Sequence, residues 1–133
     1  YVESNEFLEL AINRDIQPKV FVNGLPDRIG QILVNLLENA VSFSRPKGEV
    51  KVTLIKKWRK PVTLVVEDSG PGIRPELTEV IFERFYTSRH GGAIVDNSSG
   101  LGLAICKQII DAHGGSIEVS NSHLNGAKFT VQF

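Results

Sequence analysis

The chain has a single cysteine, Cys106, among its 133 residues. No internal disulfide can form, which excludes a disulfide-stapled secreted scaffold. CxxC pairs and Cys/His clusters of zinc-binding spacing are absent as well. No apolar run approaches the ~20 residues that a membrane-crossing helix needs. Charge of one sign is also lacking: fifteen Lys and Arg balance fifteen Asp and Glu, for a formal net charge of zero. That balance argues against a large basic surface for duplex nucleic acid or anionic lipid. There is no signal-peptide pattern, and the first residue is Tyr1, not Met, so the expectation is a piece of a longer protein. Neither a P-loop nor a Rossmann fingerprint occurs.

What remains is an ordinary globular composition, 41% hydrophobic and 23% charged, at a length suited to one hydrophobic core. Its twelve glycines matter by placement. Residues 1–17 are polar and weakly patterned; Phe7, Leu8, Leu10, Ala11 and Ile12 are compatible with a short helix or a docked strand. Val20–Val22 reads as a short strand stopped by Asn23-Gly24. Pro26-Asp27 opens the clearest helix, with Ile29, Ile32, Leu33, Leu36, Leu37, Ala40 and Phe43 on one face. Gln31, Asn35, Glu38, Asn39 and Ser42 fall on the other side. Val50, Val52 and Leu54 alternate with polar neighbours, and Val62–Val66 is a nearly continuous apolar run; a hairpin over Lys56–Lys60 joins these two strands. A short helix is expected around 75–84, then a stretch from about 85 to 99 without usable periodicity. Gly100–Leu103 opens a second long helix, which His113-Gly114-Gly115 stops. Two closing strands, Ser116–Asn121 and Lys128–Phe133, meet through Asn125-Gly126. The pattern predicts an α/β fold, a two-layer sandwich with one sheet covered on one face by helices.

Three constellations carry chemistry. Asn35 and Asn39 lie one helical turn apart, so their carboxamides share a face. A solvated face usually carries better helix formers, whereas a carboxamide oxygen suits Mg²⁺ and its amide can meet a phosphate. Asp68 ends a hydrophobic strand before Gly70 and Gly72. It suits either a capped turn or a base reader, because a carboxylate accepts from the exocyclic amine of adenine. Ser98-Ser99-Gly100-Leu101-Gly102-Leu103 starts a helix whose first amides could face an anion, or whose small residues serve close packing against the sheet. Taken singly, each stays open between the two readings.

Together and in this order they resemble the catalytic ATP-binding domain of sensor histidine kinases, within the GHKL (Bergerat-fold) superfamily. The resemblance rests on Asn35-Leu-Leu-Glu-Asn39-Ala40, Asp68-Ser-Gly70-Pro-Gly72-Ile73, Phe82-Glu-Arg-Phe85-Tyr86 and Gly100-Leu-Gly102-Leu103-Ala-Ile. It covers about residues 20 to 133. It implies a mixed, mostly antiparallel sheet with helices on one face and a flexible ATP lid at 83–99. Residues 1–17 would be a remnant of what precedes this single domain, and the dimerisation and phosphoacceptor domain would lie upstream. The resemblance further implies that Asn39 holds Mg²⁺ with Asn35 assisting near the phosphates, and that Phe43 lies against the nucleotide. Asp68 would read the adenine amine in a pocket shaped by Gly70, Gly72 and Ile73. The segment Gly100, Leu101, Gly102 and Leu103 would contact the phosphates of ATP. Phe82 and Phe85 are expected mainly in core packing.

Ser42 and Thr87 stand where related kinases usually carry cations, which leaves Arg84 and Arg89 as candidate substitutes for catalysis. Ala127 replaces a usual Thr. Hydrolytic relatives place a glutamate where Asn35 stands, and a carboxamide cannot take a proton from water. Transfer to a histidine on a separate domain, then to a response regulator, is the expected activity. His90, His113 and His123 lack a phosphoacceptor context, so the chain alone is not expected to autophosphorylate. Alternatives are a GHKL ATPase, an anti-sigma-type serine kinase, or a degenerate nucleotide-binding sensor. The resemblance implies a cytoplasmic domain of a homodimeric protein, which is an inner-membrane one in many such kinases. It implies no nucleic-acid partner and no direct membrane contact for this domain.

Overall fold

A computed structural model describes residues 11–18, 20–21, 24–84 and 101–133. Strand β1 (Ala11–Ile16) is followed by helix α1 (Pro26–Phe43), strands β2 (Glu49–Ile55) and β3 (Thr63–Glu67), helix α2 (Gly102–Ala112), and strands β4 (Ser116–Asn121) and β5 (Ala127–Gln132). One five-stranded sheet has the order β1-β2-β3-β5-β4. β1 pairs parallel with β2, and every other pairing is antiparallel. The mixed, mostly antiparallel sheet expected from the sequence is therefore present.

The register explains the layering. Val52 pairs with Val66 and Leu54 with Leu64, while Val66 and Leu64 pair with Phe129 and Val131. Directly paired residues share a sheet face. This apolar face packs under α1 and α2, whose Ile32, Leu36, Cys106 and Ile110 are fully buried. Burying each large aliphatic side chain contributes about 1.5–3 kcal/mol. The opposite face carries Lys51, Glu67 and Lys128, followed by Thr53, Val65 and Thr130; it is more polar, with Glu67 buried and the others half-buried.

α1 begins where Pro26 occupies the first turn with Asp27, favourable for fixed φ and for the helix dipole. It ends at Ser44, whose extended backbone still donates to the Ala40 carbonyl. α2 ends at His113, with Gly114 in the left-handed region (φ 74°) and the Gly115 N–H returning to the Ile110 carbonyl at 2.9 Å. The His113 ring joins the two helices. Nδ1 lies 2.7 Å from the Ile109 carbonyl, and Nε2 accepts from the Leu25 N–H at 3.4 Å.

Two expectations need correction. The strand expected at Val20–Val22 is absent at Val20 and Phe21, which lie outside any strand; the edge strand β1 is Ala11–Ile16, where the sequence leaves a short helix or a docked strand open. The 75–84 helix is two single 3-10 turns, Pro75–Leu77 and Val80–Phe82. Pro75 begins the first turn, and the segment is held by tertiary packing. Ile81 is buried, and Phe82 meets Phe129 edge-to-face with centroids 6.2 Å apart. Among the described residues no helix is long and apolar enough to cross a membrane.

Candidate functional site

The polar stripe of α1 does not face bulk water. Gln31, Asn35, Asn39 and Ser42 are half-buried, whereas Val34 and Glu38 beside them are exposed. Asn35 Nδ2 donates to the Gly102 carbonyl at 3.2 Å, tying the middle of α1 to the first turn of α2. Its amide also faces the buried Cys106, whose thiol donates to the Ile32 carbonyl at 3.7 Å. Burial pushes the Cys106 pKa up to about 11, with the Asn35 carboxamide offsetting part of the shift. Asn39, one turn further along, has no side-chain hydrogen bond among the described residues. Its carboxamide is thus available to a ligand.

Asp68 follows β3 directly and is only 2% exposed. Strand alternation turns its side chain to the helix-facing side, with Leu64 and Val66. Oδ1 accepts from the Gly70 N–H at 2.9 Å and from the Ala127 N–H at 3.0 Å. Burial raises the carboxyl pKa above its usual value, and the Ala127 and Gly70 amides pull it part of the way back. Both of these bonds fall on Oδ1. Oδ2 keeps its acceptor capacity, among the described residues, for a group brought from outside.

Close backbone approach holds this carboxylate. A Cβ at Gly126 would lie 2.0 Å from Asp68 Oδ1, and one at Gly70 would lie 2.4 Å from the Phe43 carbonyl. Two further contacts fix the segment. The Ser69 N–H donates to Ser44 Oγ at 3.3 Å, joining it to the end of α1. The Ile73 N–H donates to Asn121 Oδ1 at 2.9 Å, joining it to β4. Gly72 between them has a φ of 79°, which glycine adopts without strain.

The structure therefore gathers the sequence candidates along α1. Asn35 meets the start of α2, Asn39 stands one turn on, and Phe43 abuts Gly70 another turn on. At 1.5 Å per residue, Asn35 and Phe43 are about 12 Å apart along the axis. Ile73 and Leu103 are half-buried and packed against the core, so a wall for an apolar ring and a packing role coincide in them. Leu101 precedes α2 and its carbonyl accepts from the Ile105 N–H at 2.8 Å. A Cβ at Gly102 would meet nothing within 4 Å, so close packing against the sheet does not explain that glycine. Arg84 is exposed. Gly100, Arg89, Phe85, Thr87 and the 85–99 part of the expected lid lie outside the described residues.

Sequence reasoning missed the β4–β5 turn. Besides Gly126, Ala127 and Asn121, it supplies Ser122, whose hydroxyl donates to buried Glu67 Oε1 at 2.8 Å. Only the turn pair Asn125-Gly126 signalled this, and it pointed to a hairpin. Among the described residues no group of three or more His, Cys, Asp or Glu is placed to hold a metal ion.

Residues 24–133 match the family model for histidine kinase-, DNA gyrase B-, and HSP90-like ATPases. The chain is 40% identical over 131 residues to the sensor protein ChvG of Rhizobium meliloti, covering 93% of this chain and 23% of that protein. It is 46% identical over 116 residues to ChvG of Agrobacterium fabrum, covering 83% of this chain and 19% of that protein. The chain thus spans about a fifth of the length of these curated relatives. Among solved structures, a mycobacterial sensor histidine kinase, MprB, superposes with a TM-score of 0.80 at 33% identity, over 93% of this chain and 80% of that one. Full-length ShkA, solved in complex with AMPPNP, superposes with a TM-score of 0.76 at 30% identity, over 93% of this chain and 25% of that one.

Proposed function

The chain belongs to the family of histidine kinase-, DNA gyrase B-, and HSP90-like ATPases, and we infer that it binds Mg-ATP as a sensor-kinase catalytic domain and donates the γ-phosphoryl to a histidine on a separate dimerisation domain. A response regulator then takes the phosphoryl group. The whole protein works as a homodimer, with this domain on the cytoplasmic side of the inner membrane.

One observation carries the nucleotide assignment: Asp68 is buried with Oδ1 committed to two backbone amides and Oδ2 left as an acceptor. A carboxylate so fixed accepts from the amino group of adenine and repels the carbonyl that guanine presents there. Gly70 and Gly72 let the backbone come close to a flat ring, and Ile73 lines it.

The remaining donors fit a triphosphate with its metal. No group of three or more His, Cys, Asp or Glu that could hold a metal ion is present among the described residues. Mg²⁺ commonly binds through one or two protein oxygens plus substrate phosphates. The Asn39 carboxamide, without a hydrogen bond among the described residues, supplies such an oxygen, and Asn35 keeps its Oδ1 for the same end of the site. When bound, Mg²⁺ neutralises phosphate charge that develops during transfer. Gly102, with no Cβ and no packing neighbour among the described residues, leaves the first amides of α2 open to phosphate together with Gly100, Leu101 and Leu103. Phe43 covers the base end. Arg84 and Arg89 supply cationic charge in place of Ser42 and Thr87.

Asn35, a carboxamide, cannot take a proton from water, and Glu38 is exposed beside the half-buried stripe. That favours transfer over hydrolysis. The test mixes the chain with the dimerisation helices of the whole protein and γ-labelled ATP. Acid-labile phosphohistidine on the helices is expected. Steady hydrolysis by the chain alone would support an ATPase instead, and nucleotide binding without phosphohistidine a degenerate sensor. Arg89→Ala with unchanged transfer would remove Arg89 from the mechanism.

A further inference from the structure

The turn between β2 and β3 has no part in the site above. It carries Lys56, Lys57, Trp58, Arg59 and Lys60, so four of the chain's fifteen Lys and Arg occupy five consecutive positions. All five residues are exposed, and Trp58 is 82% exposed. None of the four cations has an acidic partner in an ion pair among the described residues. The backbone beneath them is hydrogen-bonded. Gln17 Oε1 accepts from the Lys56 N–H at 2.9 Å, and the Lys57 carbonyl accepts from the Lys60 N–H at 3.0 Å. Arg59 adopts a φ of 58°, and its guanidinium lies 4.6 Å from the centre of the Trp58 ring. The tip also lies at the far end of β3 from Asp68, because β3 runs from Thr63 at the turn to Glu67 beside Asp68.

We propose that this tip is a docking point for an anionic phospholipid surface, with Trp58 at headgroup depth and the four cations on the lipid phosphates. Size decides against a folded acidic partner. A stable protein interface takes about 800 Å² from each side, with its aromatic anchor ringed by further contacts. A five-residue projecting turn offers neither. Non-specific single-strand binding uses a basic groove that tracks the backbone, and a convex turn has none. A lipid surface needs only clustered cations and an amphipathic aromatic ring, and Trp with Lys and Arg is the combination that settles at a membrane interface. The balanced total charge, which argued against a large basic surface for anionic lipid, concealed a local concentration of one sign. Docking at this end leaves the Asp68 end of the sheet open, so the two functions are separable.

Trp58 is the chain's only tryptophan and therefore its own reporter. The 133-residue chain is titrated with phosphatidylcholine vesicles, with and without phosphatidylglycerol, reading emission wavelength and co-sedimentation. A blue shift and co-sedimentation with the anionic vesicles alone are expected. Both should vanish near ~1 M salt, where the screening length falls to about 3 Å. Each cation near such a surface is worth about fivefold in partitioning, so Lys57→Gln/Lys60→Gln together should weaken binding about 25-fold. Trp58→Ala should also reduce sedimentation. All variants should keep the parent melting temperature, since the replaced side chains are exposed. The proposal is overturned by absence of binding at low salt, by equal binding to neutral vesicles, or by a response to an oligonucleotide or polyglutamate without one to vesicles.

Discussion

Replacing Asp68 with Asn should separate binding from stability. The new side chain is isosteric, and its Oδ1 can still accept from the Gly70 and Ala127 amides, 2.9 and 3.0 Å away. At the other position an NH₂ replaces Oδ2, so a donor faces the adenine amine. Loss of a charge-assisted hydrogen bond costs about 1.5–3 kcal/mol, and an unpaired buried donor adds to that. About 3 kcal/mol in all corresponds to roughly 10²-fold weaker ATP binding. Stability should move the other way. Burial raises the folded pKa of Asp68. A raised carboxyl pKa contributes stability that is fully present below the unfolded pKa and is lost as pH rises through the folded value. At neutral pH the ionised group is therefore a cost, and Asn removes it. Asp68→Asn should melt at or above the parent temperature, and its stability should depend less on pH above 3.8, the ordinary carboxyl value. Asp68→Ala should melt lower, because two buried amides lose their acceptor at about 1–3 kcal/mol each. Calorimetric titration with an ATP analogue and thermal melts across pH read both effects. If Asp68→Asn binds within threefold of the parent, or melts as low as Asp68→Ala, the assignment of the two oxygens is wrong.

Three further outcomes follow from the packing. Gly126→Ala places a Cβ 2.0 Å from Asp68 Oδ1 and 2.2 Å from its carbonyl. It should cost about 3 kcal/mol in denaturant unfolding, the upper end for overpacking, and should weaken nucleotide binding. Asn39→Ala should stabilise α1 by about 0.5 kcal/mol through helix propensity, while the enhancement of nucleotide affinity by Mg²⁺ falls about tenfold; an unchanged magnesium response would remove Asn39 as its ligand. Cys106 is fully buried and its pKa is pushed up to about 11, so a thiol reagent at neutral pH should modify it only as fast as the protein opens. Rapid native labelling would contradict that packing.

Elements whose residues repeat with a clear period are legible in the amino-acid sequence. α1 carries a continuous apolar face from Ile29 to Ala40, and β2 alternates, so both lie where the pattern puts them. β1 stays ambiguous between a short helix and a docked strand because Ala11–Ile16 places exposed Ile12, Arg14 and Ile16 on one face; its parallel pairing with β2 decides for the strand. The two turns between Pro75 and Phe82 are likewise held by burial of Ile81 and by the Phe82–Phe129 contact, which local sequence does not encode. In the site, Asp68 is marked by the glycines after it. Its partner across the sheet is the backbone N–H of Ala127, and every residue but proline owns such a group, so no residue type could signal it. Ala127 stands in place of a usual Thr, and its contact with Asp68 runs through the main chain.

The central claim is that Asp68, Asn35 and Asn39 converge on one magnesium-bound adenine nucleotide. Isothermal titration of the chain with AMPPNP, with magnesium and again with a chelator, tests it most directly. One-to-one binding that weakens without the metal, with GMPPNP giving no heat, is the expected result. Silence with AMPPNP, or equal heats from the adenine and guanine analogues, would contradict it.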